Sequence, residues 1–374
     1  MVVPTRYSME LVQTTKNAMK VLYLSAWYPT HRDAMAGLFV QKHAQAVEQQ
    51  GVDVRVIYSE ATGIQWCKEI LQQWKLLKRE WGIPDLVQMN VLDKNGLFAL
   101  WLRIRFRIPY IIIEHWSGYL PENFSFRGGW HGYVMRTIAK HAKCILPVSH
   151  QLEKAMKQCR IRNEHWQRIH NVVDDFFFLP ITSFTIPLKS PTKFRLLHVS
   201  CFDEKAKNIQ GILRAVRKLS DQRKDFELVI VGTGIDFEID KAYAETLNFP
   251  QSTLFFTGEQ TPYEVAQWMQ QSDAFVMFSR YENAPVVLSE CLAVGLPIVS
   301  SNAGGIPEMI SSAEGILVPS EDEEALRKAI SQMIDHQADY VKESIQLTGK
   351  KYSYQSVGAA LLHLYQTILD QSFD

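Results

Sequence analysis

Two glutamates that lie eight positions apart, Glu282 and Glu290, are the residues whose type and spacing best suit chemistry in this sequence. Carboxylates accept paired hydrogen bonds from vicinal hydroxyl groups, which both a ribose and a hexose present. A strand is predicted to end before Glu282 and a helix to begin near Pro285, because proline suits the first turn of a helix. Taken alone, such a spacing is common, and it favours a solvated loop charge at Glu282 and a helix-surface charge at Glu290.

The residues around the two glutamates add a predicted anion-binding element. The segment reads SRYENAPVVLSECLAVGLPIVSSNAGGIPEM over residues 279–309. At the start of the predicted helix, unsatisfied backbone N–H groups and the helix dipole favour an anion. Gly304 and Gly305 suit a turn that only glycine would tolerate, so Glu308 beside them is predicted to be structural.

A second group of polar residues ends an apolar run earlier in the chain. The run IPYIIIEHW covers residues 108–116 and closes on Glu114, His115 and Trp116. Polar groups at the carboxyl end of a strand in an open α/β sheet point into the crevice rather than the core. His115 is therefore a candidate ligand contact, and a structural histidine is the alternative.

Short apolar runs alternate with helical patterns along the chain, which is typical of βαβ units around parallel sheets. A first series of predicted strands covers residues 21–27, 54–58, 85–91, 110–115 and 144–149. A second series covers residues 195–200, 227–232, 253–258, 274–279, 297–301 and 315–319. The two series predict two doubly wound α/β domains, whose strand ends and helix N-termini border a shared crevice.

The length of 374 residues also suits two domains. We predict an N-terminal extension over residues 1–20, a first domain over 21–185 and a second domain over 186–352. A C-terminal helix over 353–374 is predicted to cross back to the first domain. Residues 181–192, which are rich in Pro, Ser and Thr, form the predicted linker.

The segment 279–309 resembles the Glu-x7-Glu region of the family-four retaining glycosyltransferases, which have the GT-B fold of two Rossmann-like domains facing a central cleft. The resemblance includes the Asn-Ala-Pro after the first glutamate and the trailing GGIPE. It implies that Glu282 approaches the donor sugar and that Glu290 holds the nucleotide ribose. The loop residues that it places against the sugar and the diphosphate are Asn283, Ala284, Pro285, Val286 and Val287.

Other segments are similar to the same family. The string LLHVSCFDEKAKNIQGILRAVRKL over residues 196–219 puts Lys207 at the family's diphosphate lysine. Cys201 stands where the family usually has an arginine, and we expect Lys205 or another basic residue to compensate. Gly37 matches the glycine that lets the backbone approach the diphosphate. The resemblance also places His115 near the transferred sugar, and Glu114 and Trp116 on the acceptor side.

The resemblance implies a retaining transfer of a hexose-type sugar from a nucleotide diphosphate sugar to a glycan or lipid-linked acceptor, in bacterial polysaccharide or glycolipid assembly. No Asp-x-Asp triplet occurs, so no metal is expected, and the sugar nucleotide is a substrate rather than a cofactor. His115, Lys207 and Glu282 are then the expected catalytic residues. Two alternatives stay open at this stage: a nonhydrolysing sugar-nucleotide epimerase of the same fold, and a nucleotide-binding scaffold without catalysis.

The charges of the chain are distributed unevenly. Residues 1–185 carry 23 Lys and Arg against 15 Asp and Glu, and residues 186–374 carry 17 against 25. The basic half favours an anionic partner, such as lipid head groups or a phosphorylated acceptor. Nucleic acid is not expected, because the sequence has no RNP, zinc-finger or helix-turn-helix signature.

A basic aromatic segment lies within this positive half. Residues 64–82 read IQWCKEILQQWKLLKREWG and are predicted to form a helix. This helix either lies on an anionic membrane surface or packs its apolar side into the domain and leaves its lysines in solvent. Five scattered cysteines without metal-ligand spacing, and the lack of a signal peptide or membrane-spanning run, favour a cytoplasmic protein, with peripheral association at the cytoplasmic face of the membrane as an option.

Overall fold

The computed structural model describes residues 18–30 and 35–371. Residues 1–17, most of the predicted N-terminal extension, lie outside the described part of the chain. The chain is divided into two compact units. Unit 1 takes in the chain up to Tyr119, then Phe124–Val172 and the segment from Tyr354, and unit 2 takes in Leu120–Asn123 and Val173–Ser353.

Unit 1 is built around a parallel five-stranded sheet with the strand order β2-β1-β3-β4-β5. Its strands are β1 (Lys20–Ser25), β2 (Asp53–Tyr58), β3 (Leu86–Asn90), β4 (Tyr110–Glu114) and β5 (Ile145–Pro147). Its helices are α1 (Leu38–Glu48), α2 (Gly63–Glu80), α3 (Asn95–Phe106), α4 (Gly129–His141), α5 (His150–Gln158) and the last helix of the chain, α13 (Tyr354–Asp370). Strands β3 and β4 are buried along their whole length, which explains their near-continuous apolar runs.

The C-terminal helix α13 packs on α1 and on the sheet of unit 1. Its Tyr365 hydroxyl donates a hydrogen bond of 2.5 Å to Gln88 Oε1 on β3 and lies 3.1 Å from the hydroxyl of Tyr23 on β1. All three side chains are buried, so these polar contacts fix the position of the helix on an otherwise apolar sheet face.

Unit 2 is built around a parallel six-stranded sheet with the strand order β11-β10-β9-β6-β7-β8. Its strands are β6 (Phe194–Val199), β7 (Phe226–Val231), β8 (Leu254–Gly258), β9 (Ala274–Met277), β10 (Ile298–Ser301) and β11 (Gly315–Val318). Its helices are α6 (Glu204–Lys207), α7 (Ile209–Gln222), α8 (Phe237–Thr246), α9 (Pro262–Gln270), α10 (Val286–Val294), α11 (Glu323–Asp335) and α12 (Lys342–Gly349). The two wound α/β sheets predicted from the sequence are confirmed, and each predicted strand overlaps an observed one.

The predicted linker, residues 181–192, has no helix or strand and is attached to unit 2. Glutamine side chains at the end of α9 accept its backbone N–H groups: Gln270 Oε1 from Ile181 at 2.9 Å, and Gln267 Oε1 from Thr185 at 2.7 Å. These bonds satisfy backbone donors of an irregular segment and thereby fix its path along the helix.

The basic aromatic segment forms α2, and its apolar residues face the interior of unit 1. Trp66, Ile70, Trp74 and Leu77 are all buried. The lysines of the helix are exposed. The apolar stripe of α2 is therefore packed into unit 1, as one of the two interpretations of this segment predicts. Within residues 18–30 and 35–371, no helix combines the length and apolarity needed to cross a membrane.

Candidate active site

The carboxylate of Glu282 is fixed by two side chains of unit 2. Glu282 lies in the loop between β9 and α10, and its side chain is 11% exposed. Its Oε1 atom accepts a hydrogen bond of 2.6 Å from Lys207 Nζ and one of 2.9 Å from the hydroxyl of Ser279. The structure thus brings two of the predicted catalytic residues into direct contact, 75 positions apart in the chain.

Ser279 was not predicted as a site residue. It is fully buried, and its carbonyl accepts a 2.6 Å hydrogen bond from Ser301 Oγ on β10. Ser301 therefore fixes the backbone of Ser279, and the hydroxyl of Ser279 in turn fixes the Glu282 carboxylate. Its place three residues before Glu282 in the motif is the only sequence signal that could have identified it.

The backbone of Glu282 is fixed by the loop that contains the GGIPE sequence. The N–H of Gly305 donates to the carbonyl of Glu282 at 3.0 Å. Gly304 has a φ of +55°, and a Cβ atom there would lie 1.9 Å from the same carbonyl oxygen. The predicted need for glycine is confirmed at Gly304, whereas Gly305 has a φ of −84°, which any residue can adopt.

Lys207 is the last residue of α6, a single turn whose N-cap Asp203 accepts a hydrogen bond from the N–H of Ala206. Burial by itself would lower the pKa of Lys207, but the charge and hydrogen bond of Glu282 outweigh that effect and raise the pKa above its usual value. The ammonium group is therefore charged, with three donors of which one is used by Glu282.

Cys201 occupies the position before α6 where the family usually has an arginine, and its side chain is exposed. Two basic side chains belong to this region. Lys205 is exposed within α6. Arg280 was not predicted as a site residue; its Nη2 donates to Asn208 Oδ1 at 2.9 Å, its Nη1 donates to the carbonyl of Glu204, and its Nε donates to Glu321 Oε1 at 2.5 Å.

The remaining predicted donor residues of unit 2 lie at the start of α10 and within it. Pro285 is the N-cap residue, Val286 begins the helix and Glu290 lies in its second turn. Asn283 is buried, and Ala284, Val287 and Glu290 are half-buried. Helix α10 therefore begins four residues after Glu282, and its N-terminal N–H groups and dipole favour an anion there.

In unit 1, Gly37 is the N-cap residue of α1, with a φ of +67°. A Cβ atom at this position would lie 2.3 Å from the carbonyl oxygen of Trp27, so glycine permits the close approach of α1 to the loop after β1. Phe39, two residues further on, packs its ring on His115 with 4.0 Å between ring centroids. The start of α1 and the end of β4 are thus neighbours. A contact of Gly37 with a diphosphate stays a prediction.

The side chain of Glu114 lies in the interior of unit 1. It is fully buried at the end of β4, and its carboxylate accepts hydrogen bonds from the N–H groups of Leu92, His115 and Trp116 at 2.8–2.9 Å. Its place at the strand end predicts a carboxylate that points into a crevice. In the structure the carboxylate is instead enclosed within unit 1. Burial raises the pKa of Glu114 to about 7. Its role is to join the loops that follow β3 and β4.

The His115 imidazole has two ring neighbours. Its centroid lies 4.0 Å from that of Phe39 and 5.8 Å from that of His43. Burial, with a smaller contribution from His43, lowers the pKa of His115 well below its usual value. The ring is therefore neutral near pH 7 and suits hydrogen bonding rather than charge pairing. Trp116 packs edge-on against Tyr119 at 5.1 Å between centroids.

Two family models match the chain. The model described as glycosyl transferases group 1 matches residues 182–348, and the model described as glycosyltransferase family 4 matches residues 64–175. Among curated relatives, TuaC of Bacillus subtilis, a glycosyltransferase assigned to teichuronic acid biosynthesis, is 22% identical over 95% of this chain and 100% of the relative. The N-acetyl-alpha-D-glucosaminyl L-malate synthase of Bacillus anthracis is 28% identical, and the match spans 48% of this chain and about half, 47%, of that enzyme.

Solved structures show the same fold. Sucrose-phosphate synthase from Thermosynechococcus elongatus aligns with a TM-score of 0.77 at 18% identity, over 94% of this chain and 100% of the other. Anabaena HepE in complex with UDP-glucose aligns with a TM-score of 0.71 at 17% identity, over 93% of this chain and 100% of the other.

Proposed function

We propose that the chain, which has the GT-B fold and matches the group 1 glycosyl transferase model over residues 182–348 and the family 4 model over residues 64–175, transfers a hexose-type sugar from a nucleotide diphosphate sugar to a glycan or lipid-linked acceptor. We further propose that the transfer retains the anomeric configuration and needs no metal, and that it serves surface-polysaccharide assembly at the cytoplasmic face of the membrane. The relative TuaC, named for teichuronic acid biosynthesis, supports the polysaccharide role.

The observation that carries this proposal is the 2.6 Å contact between Lys207 and Glu282. It joins a cation suited to a diphosphate to a carboxylate suited to sugar hydroxyls, directly before the N-terminus of α10. A sugar nucleotide carries both of these chemical groups, linked through its anomeric carbon. In this proposal the pair holds the donor on either side of its scissile bond.

Charge on the leaving group is neutralised by Lys207 and the N–H groups at the start of α10. This is electrostatic stabilisation by groups that are already in place before the reaction. Glu290, in the second turn of α10, holds the ribose hydroxyls in this proposal. The absence of an Asp-x-Asp triplet from the sequence supports transfer without a bound divalent metal.

For the chemical step we propose attack on the same face from which the phosphate departs. The acceptor hydroxyl oxygen forms the new bond to the anomeric carbon, while the bond from that carbon to the phosphate oxygen breaks. The hydroxyl proton passes to the departing phosphate oxygen, so no enzyme nucleophile takes part. The neutral imidazole of His115 orients the donor sugar or the acceptor by hydrogen bonding.

The direct test is a panel of UDP- and GDP-sugars incubated with the protein and a lipid fraction from a polysaccharide-producing bacterium. We expect one donor to yield glycosylated lipid or glycan with the donor's anomeric configuration, in the presence of a chelator. Conversion of a donor without any acceptor would indicate an epimerase instead. Nucleotide binding without transfer or hydrolysis would indicate a scaffold, and a trapped covalent glycosyl-enzyme would reject the same-face step.

A further inference from the structure

Helix α3 presents three apolar side chains to solvent on one side. Leu97 is 46% exposed, Trp101 39% and Ile104 75%. Their spacing of four and three residues places them above one another along the helix. The opposite side of the same helix, with Phe98, Ala99 and Leu102, is buried. Trp101 also stacks on Phe98, with 5.5 Å between ring centroids, so the exposed stripe continues from the apolar side that the fold buries.

Helix α2 packs beside α3 through aromatic contacts. The ring of Trp74 lies 6.0 Å from that of Phe98 and 5.7 Å from that of Phe106. On the α3 side of α2, Lys78 Nζ lies 4.8 Å from the centroid of the Phe106 ring. The exposed residues on this side of α2 thus border the exposed stripe of α3.

The other side of α2 faces a different part of unit 1. Gln73 Nε2 donates to the carbonyl of Tyr58, the last residue of β2, and Glu69 accepts from the hydroxyl of Ser59. Leu71 and Lys75 lie on the side away from these contacts, in line with Lys78, and Leu71 is 43% exposed. We call the surface formed by Leu71, Lys75, Lys78, Leu97, Trp101, Ile104 and Arg105 the α2–α3 face.

The charge around this face is strongly positive. Helices α2 and α3, with the C-cap residue Arg107, carry seven Lys and Arg and two Glu. Of the two acids, Glu69 is engaged by Ser59 and Gln65 on the far side of α2, and Glu80 lies 3.6 Å from Arg79. The exposed apolar side chains therefore stand among cations whose charge is not cancelled within the two helices.

We propose that the α2–α3 face rests on an anionic phospholipid bilayer. An exposed tryptophan and aliphatic side chains surrounded by lysine and arginine match the interface of such a membrane, where the apolar groups enter the acyl boundary and the cations meet the head groups. A second copy of the chain fits less well, because it would bring two cationic surfaces together. The inference rests on the proposed function in one respect, since a lipid-linked acceptor supplies the reason to bind a membrane.

Sedimentation with vesicles tests this inference. We expect the full-length protein to bind phosphatidylcholine vesicles that contain phosphatidylglycerol and to leave pure phosphatidylcholine vesicles unbound. Replacing Trp101 and Ile104 together by serine should reduce binding at least about tenfold, because roughly 0.8 kcal/mol is lost for each CH2 no longer buried. Arg105→Glu should reduce it at least about fivefold, at about 1 kcal/mol per cation near the surface.

Trp130→Ser is the matched control, because Trp130 is 78% exposed on α4 and lies outside the α2–α3 face. Its binding should equal that of the wild type, and a loss as large as that of the double variant would overturn the assignment of the face. Failure of the wild type to bind either vesicle, or a dimer that dissociates when Trp101 and Ile104 are replaced, would also overturn it. If circular dichroism shows that the double variant is misfolded, vesicle binding by Arg105→Glu tests the face instead, because Arg105 is exposed.

Donor binding by the same variants separates this inference from the proposed function. Titration with UDP-sugars reports on unit 2, and we expect the double variant and Arg105→Glu to keep the wild-type affinity. Vesicle binding that depends on the face, in a protein that transfers no sugar, would support the face and contradict the function. Sugar transfer by a protein that ignores anionic vesicles would do the reverse.

Discussion

In the proposed donor site, two hydrogen bonds hold the carboxylate of Glu282. Glu282 receives a charged hydrogen bond from Lys207 and a neutral one from Ser279, both on Oε1. Two donors on the same atom restrict the rotation of the carboxylate. A fixed carboxylate can meet sugar hydroxyls without reorganising during the reaction.

The buried hydroxyl of Ser279 should therefore matter for turnover. A hydrogen bond to a charged group contributes about 1.5–3 kcal/mol, so Ser279→Ala should lower kcat roughly tenfold or more. The affinity for UDP should stay unchanged, because Lys207 is left in place. Steady-state kinetics with the active donor, together with calorimetry with UDP, measures both quantities.

Ser300→Ala is the control for this substitution, since Ser300 is an equally buried serine on β10 that bonds to the carbonyl of Ser301 rather than to Glu282. It should keep the wild-type kcat. Equal kcat values for Ser279→Ala and the wild type would show that the hydroxyl does not position Glu282.

Single residues could be selected as candidates where the chain matches a family motif. Glu282 and Lys207 were both selected from the sequence, but their contact was not, because pairing across 75 positions depends on the strand order of unit 2. Ser279 and Arg280 were missed because a serine or an arginine next to a motif has no distinctive pattern. The burial of Glu114 was missed for a different reason. The end of a strand predicts a side chain that points into the crevice, but this carboxylate accepts hydrogen bonds from three backbone N–H groups inside unit 1.

At the scale of elements, the turn after β10 shapes the loop that carries Glu282. Gly304→Ala should destabilise the protein on two grounds: the positive φ costs about 1–2 kcal/mol for a residue with a side chain, and overlap with the Glu282 carbonyl adds roughly 1–3 kcal/mol. Gly258→Ala is the matched control, because Gly258 has a φ of +73° and open space around its Cβ position.

Urea unfolding of the two glycine variants separates strain from overlap. Gly258→Ala should lose only the part that comes from φ, so its loss of unfolding free energy should be the smaller by about 1–3 kcal/mol. Equal losses in the two variants would mean that the Gly304 turn does not press on the Glu282 loop.

The loops after β3 and β4 are joined by a carboxylate whose titration should be visible in stability. Burial raises the pKa of Glu114 from 4.5 to about 7, so the folded protein keeps a proton that the unfolded chain releases. Folding stability should therefore fall as the pH rises from about 4.5 to about 7, by up to about 3 kcal/mol from this group.

Urea unfolding at several pH values checks this sign. Glu114→Gln has no proton to lose, so its stability should fall less than that of the wild type across the same window, whatever constant loss the substitution brings. Glu80→Gln, at an exposed position of α2, should follow the wild type. A wild-type profile that rises between about pH 4.5 and about pH 7 relative to Glu114→Gln would contradict the assignment.

Elements were the most predictable level of this structure. Helix α1 and the strands follow the apolar periodicity, and the C-terminal pattern from Tyr354 forms α13. The environment of α2 could not be decided from its sequence, because a stripe of Trp and Leu beside lysines is the same for a packed helix and for a membrane-bound one. The aromatic residues of α3 decide it for the buried stripe alone, since Trp74 packs on Phe98 and Phe106.

At the scale of the whole molecule, the two halves of the sequence differ in net charge. The first 185 residues carry an excess of eight positive charges and include the α2–α3 face, whereas the remaining residues carry an excess of eight negative charges and include the Lys207–Glu282 pair. The two-unit plan was predictable from the restart of the strand pattern. The surface that stays apolar was not, because exposure is decided by which helices become neighbours.

Calorimetric titration of UDP- and GDP-sugars tests the central claim most directly, with Lys218→Ala, an exposed lysine on α7, as the control for Lys207→Ala. We expect the wild type and Lys218→Ala to bind one sugar nucleotide with equal affinity, and Lys207→Ala to bind it about 10- to 100-fold more weakly, as the loss of a charged hydrogen bond requires. Wild-type protein that binds no sugar nucleotide, or Lys207→Ala that binds as tightly as the wild type, would contradict the assignment of the donor site.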